Sequence, residues 1–98
     1  MNLGLTIANL RKAKSFKQGS LAEMCDITQA YLSQIESNKK EPNLAILKII
    51  SEKLDVPLPV IFFLSIDKDD VPDKKKASFD MLQPMVKAFV KEVYDTVS

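Results

Sequence analysis

An all-α fold is the class this sequence predicts, and three observations carry that expectation. Apolar side chains recur every three or four residues along most of the chain, the spacing of one helix face. Residues that cap helices, Thr28 and Asn43, stand just ahead of two such runs. Prolines fall at the edges of periodic segments, at positions 42, 57 and 59, where they stop or open helices.

Each element follows in order. Leu3, Ile7 and Leu10 step as i, i+4, i+7 with Arg11, Lys12 and Lys14 off the stripe, which predicts a helix from about Gly4 to Ser15. A short second helix over 18–25 buries Leu21, Ala22 and Cys25. Asp26-Ile27 breaks it, and Thr28 caps a third, 29–36, with Leu32 and Ile35 turned inward. Residues 38–42 are a polar loop ending in proline. Asn43 caps a fourth helix, 44–54, whose inner face is Leu44, Leu47, Ile50 and Leu54. Pro57 and Pro59 open a fifth, very apolar one at 60–64, with Phe62 inward. Residues 65–77, SIDKDDVPDKKKA, carry eight charges in thirteen positions and read as a linker. The tail is amphipathic again: Phe79, Leu82, Val86, Phe89, Val93 and Val97 form a near-heptad seam. Pro84 suits a helix that begins near Leu82, with the ring in the first turn. The expected organisation is a domain over 1–66, a charged linker over 67–77 and an amphipathic helix over 78–98.

Composition narrows function. The chain has 98 residues, 28% charged and 46% hydrophobic, which suits one small domain with an appended segment. No apolar run reaches the roughly 18–20 residues of a membrane span, and MNLGLTIANLRKAK lacks the core of a secretory signal. There is no histidine, which removes His-based acid–base chemistry, the usual triads and most zinc sites. One cysteine, Cys25, excludes an internal disulfide and fits a reducing cytoplasm. Two glycines are too few for a P-loop or a dinucleotide fingerprint. An enzyme is not expected, nor a cofactor; no ligand spacing supports a metal. Charge is modest: residues 1–64 carry eight Lys/Arg against six acids, and the whole chain is +1. A nucleic-acid binder with this balance must place its few cations locally.

Two short helices joined by a tight break have the geometry of a helix-turn-helix. Gln18-x-x-Leu21-Ala22, then Ile27-Thr28-x-x-Tyr31-Leu32-Ser33-x-Ile35-Glu36, then Lys39-x-x-Pro42 resembles the lambda-repressor-like helix-turn-helix family of the xenobiotic-response-element type. The likeness covers about residues 3–64 and rests on a dozen positions at fixed offsets. It implies that helix 18–25 crosses the phosphate backbone while helix 28–37 enters the major groove of double-stranded DNA. It assigns Gln29, Ala30, Ser33 and Gln34 to base edges; glutamine suits adenine N6/N7, and an alanine methyl suits a thymine methyl. It assigns Gln18, Tyr31, Asn38, Lys39 and Lys40 to phosphates, although a tyrosine ring there can equally lid the core. Arg11 and Glu36 match a structural ion pair. Where the family often has glycine, this chain has Ser15, Asp26 and Asn38, and Asp and Asn tolerate left-handed backbone. Lys17 stands in place of a hydroxyl cap, so helix 18–25 is weakly capped, at a cost of about 1 kcal/mol.

Small DNA-binding modules commonly double their site by two-fold symmetry. Phe63, on the run 60–64, and Leu82, Val86, Phe89 and Val93, in the tail, are the candidate homodimer interface. The expected function is a sequence-specific transcriptional regulator, a repressor by preference. The alternative is an antitoxin or interaction module whose C-terminal helix binds a different protein.

Overall fold

A computed structural model describes residues 1–94, and these form six α-helices and two 3-10 turns, with no strand among them. The helices are α1 (Leu3–Ala13), α2 (Gln18–Met24), α3 (Gln29–Glu36), α4 (Leu44–Leu54), α5 (Leu58–Ser65) and α6 (Lys76–Tyr94). Three open on side-chain caps: Asn2 Oδ1 accepts from the Leu5 N–H, Thr28 Oγ1 from Tyr31 and Asn43 Oδ1 from Ile46, at 3.1, 3.0 and 2.9 Å. Each satisfies an amide that the helix itself leaves without a partner. Lys17 opens α2 with no such bond.

Ile7, Leu10, Leu21, Ala22, Cys25, Leu32, Ile35, Leu47, Ile50, Leu54, Val56 and Ile61 form one buried cluster. Burial of each large aliphatic among them contributes about 1.5–3 kcal/mol. α1 lies against both α3 and α5, α2 packs on α3, and α4 on α5. Four non-glycine residues take left-handed backbone: Ser15, Asp26, Asn38 and Asp55, at φ 62°, 56°, 62° and 57°. The first three are the positions where the family pattern favours glycine. The fourth closes α4.

Several expectations need correction. Leu44 is exposed, because it sits in the first turn of α4 before the helix meets the core. α5 starts at Leu58, two residues earlier than expected; Pro57 precedes it and Pro59 falls in the first turn, where no intrahelical N–H is needed. Its fully buried apolar side chain is Ile61, while Phe62 is half-buried against the cluster. The segment 65–77, read as a linker, has local structure of its own. It holds 3-10 turns at Lys68–Asp70 and Asp73–Lys75, and the Met1 α-amino group donates to Asp70 Oδ1 at 2.8 Å. α6 begins at Lys76, so Pro84 lies inside it. Proline there removes one backbone bond, and two polar ties hold the stretch of α6 just before it: Lys68 pairs with Asp80 at 2.9 Å, and Gln83 Nε2 donates to the Ile66 carbonyl at 3.4 Å. The expected seam divides between two faces. Phe79, Val86, Val90 and Tyr94 are at least half-buried, with Val90 only 4% exposed, whereas Met81, Leu82, Met85, Phe89 and Val93 are exposed. Val97 and the expected helix end at 98 lie outside the described residues.

Candidate nucleic-acid interface

The turn between α2 and α3 is set by backbone. The Cys25 N–H returns to the Leu21 carbonyl and the Ile27 N–H to the Ala22 carbonyl, both at 3.0 Å, and Asp26 supplies the left-handed step. Leu21 and Ala22 of α2 and Leu32 and Ile35 of α3 then share the core, which locks the two helices together. The opposite side of α3 is left to solvent. Gln29, Ala30, Ser33 and Gln34 are all exposed, a short strip of amides, a methyl and a hydroxyl.

α1 seats the far end of α3. Asn38 Oδ1 accepts from the Gly4 N–H at 3.0 Å, and Asn38 Nδ2 donates to Asn2 Oδ1 at 2.7 Å. A Cβ on Gly4 would overlap the Ile35 carbonyl and lie 2.6 Å from both the Glu36 carbonyl and Asn38 Oδ1, so only glycine permits this approach. Sequence reasoning did not single out Gly4; the available signal was a glycine at the second position of a helix, costly unless the backbone is closely approached.

A polar relay runs along the α2–α3 seam. Arg11 Nε and Nη2 donate to the two Glu36 carboxylate oxygens at 2.8 and 2.9 Å, and Nη1 donates to the Phe16 carbonyl at 2.9 Å. The two side chains are only 11% and 7% exposed. Such a pair fixes helix angles more than it adds net stability, since desolvation offsets most of the attraction. Gln18 Nε2 donates to Glu36 Oε1 at 3.0 Å, and Gln29 Nε2 reaches Gln18 Oε1 at 3.5 Å. The pair Arg11–Glu36 therefore orients Gln18 and, through it, Gln29.

The remaining expected phosphate contacts differ among themselves. Lys39 and Lys40 are exposed, and their backbone N–H groups both donate to the Gln34 carbonyl, at 2.9 and 3.1 Å, which folds the cations back beside the end of α3. Tyr31 is half-buried against the core. The Asn38 carboxamide is engaged with α1, with one amide hydrogen left over.

A helix-turn-helix family model matches residues 7–61, from within α1 into α5, and so takes in the turn, the strip on α3 and the polar relay. The chain belongs to the lambda-repressor-like helix-turn-helix family. This family is a DNA-binding transcription-regulator fold and not typically an enzyme. α6 lies beyond the matched residues. No curated protein matches the chain in sequence. No helix among the described residues is long and apolar enough to cross a membrane.

Within a helix-turn-helix protein the geometry has a direct chemical meaning. The exposed strip on α3 offers carboxamides, which pair with a base edge through one donor and one acceptor. Lys39 and Lys40 stand beside it as point charges. Phe63 is half-buried and is not among the side chains packed on the core cluster.

Proposed function

We propose that the chain is a sequence-specific transcriptional repressor of the cytoplasm that binds a pseudo-palindromic operator as a homodimer. α3 enters the major groove; Gln29, Ala30, Ser33 and Gln34 meet base edges, while Gln18, Tyr31, Asn38, Lys39 and Lys40 are assigned to phosphates. The observation that carries this reading is the exposed strip on α3, held rigid from beneath by Leu32 and Ile35 and from its end by Gly4 and Asn38. A side chain that must pair with a base needs such a fixed platform.

The homodimer reading rests on α6. Leu82, Met85, Phe89 and Val93 are exposed at helical spacing, with Met81 beside them, a surface a lone chain in water leaves unsatisfied. Two recognition helices would then sit about one DNA turn, roughly 34 Å, apart.

Mobility shift against salt tests the reading. Binding to duplexes selected from a random pool should weaken steeply between about 50 and 200 mM salt. Phe89→Asp should yield a monomer by sedimentation and lower operator affinity. Indifference to every duplex would favour the interaction module instead, and a wild-type chain that sediments as a monomer would refute the α6 pairing.

A further inference from the structure

We propose that Met81 and Met85 on α6 are a site of oxidation by peroxides, and that their sulfoxides hold the chain in its unpaired state. The inference rests on the α6 homodimer read above and adds the chemistry that regulates it. Met81, Met85, Phe89 and Val93 follow one another at intervals of four residues and are all exposed, with Leu82 beside them. Residues four apart line one ridge of a helix. Such a ridge pairs with a two-fold copy of itself, because the same patch serves both sides. Run antiparallel, it sets Met85 of one copy against Phe89 of the other, and Met81 against Val93. A thioether at the edge of an aromatic ring is a favourable contact.

Met81 and Met85 are 68% and 64% exposed, the most exposed of the chain's four methionines. Cys25, the one thiol, is buried in the core, and burial pushes its pKa up, which withholds the thiolate that reacts with peroxide. A thioether needs no deprotonation. Its sulfur takes one oxygen from a hydroperoxide: an S–O bond forms, the O–O bond breaks, sulfur loses two electrons, and the peroxide leaves as water or an alcohol. The product is a polar sulfoxide in place of an apolar side chain. Pairing would bury two such groups per chain without hydrogen-bond partners, since Leu82, Phe89 and Val93 around them are apolar. The helix-turn-helix unit is spared, because neither methionine belongs to the buried cluster. Oxidation thus acts on free chains in exchange with the dimer and traps them apart.

The experiment treats the full chain with hydrogen peroxide, locates sulfoxides by mass spectrometry and follows assembly by sedimentation. The oxidised wild type should show a dimer dissociation constant raised by about tenfold or more, the scale of burying an unbonded polar group, with helix content unchanged. Reduction by the two epimer-specific methionine sulfoxide reductases should restore pairing. Met81→Leu/Met85→Leu keeps the face apolar, so it should pair normally and hold its dissociation constant after the same treatment. Met1 and Met24 are present in both proteins, so the contrast isolates the pair on α6. Protection is the second readout: sulfoxide formation at Met85 should slow as chain concentration rises through the dimer range, while that at Met24 stays constant. Sulfoxides at Met81 and Met85 in a chain that pairs as before, or equal dissociation of the double variant, would overturn the inference and leave the homodimer standing. An untreated chain that sediments as a monomer would overturn both.

Discussion

The helix-turn-helix unit, α1 to α5, and the appended α6 obey opposite burial rules. In the first, one cluster of aliphatics is inside, with Leu5 and Leu44 left exposed, and α3 shows solvent amides, hydroxyls and the Ala30 methyl but no large apolar side chain. In the second, Val90 is buried while Phe89, its neighbour in sequence, is 63% exposed together with four other large apolar residues. Polar bonds at Asp80 and Gln83 help tie α6 to the rest of the chain. The first region thus carries its own core, and a helix of this length would be marginal in water without tertiary support. Stability and assembly should therefore be separable by mutation.

The sharpest way to break that contrast is a matched pair of truncations. Leu32→Ala empties a fully buried site and should cost about 2–5 kcal/mol. Met85→Ala, on the exposed face of α6, should stay within about 0.5 kcal/mol at concentrations too low for pairing. Urea unfolding of both variants checks it; equal losses would erase the distinction. Gly4→Ala comes next. Its methyl meets the Ile35 and Glu36 carbonyls, so α1 must back away from α3 at a cost of about 1–3 kcal/mol, read as a lowered Tm. The smallest effect has the other sign. Ser15→Gly should gain about 0.5–1 kcal/mol by relieving a left-handed serine. Asn38→Gly relieves the same strain yet forfeits two hydrogen bonds to α1, so it should not share that gain.

Much of the first region was legible because local and global signals agree there. Thr28 and Asn43 cap the helices they were expected to cap, and Leu21, Ala22, Cys25, Leu32 and Ile35 are all buried. The Arg11–Glu36 pair forms as its spacing within the family pattern implied. What escaped were long-range approaches with no periodic trace: Gly4 against the end of α3, and Asn38 spent on α1. On α6 the failure has a different cause. Proline was expected to limit the helix start, but α6 runs through it, with ties at Asp80 and Gln83 before the proline and the buried Val90 after it. The single seam was two adjoining apolar faces, which a stepping pattern of threes and fours cannot tell apart. On α3 the sequence alone could mark the exposed amides, but not that Gln29 is oriented by Gln18.

The central claim is that the strip on α3 reads bases, and Gln34→Ala tests it most directly. Affinity is measured for one selected duplex and for random DNA, at matched salt. A loss of about 1–3 kcal/mol confined to the selected duplex, with preference relaxed at one base pair, is the predicted result. Equal loss on both duplexes, or none on either, would contradict it.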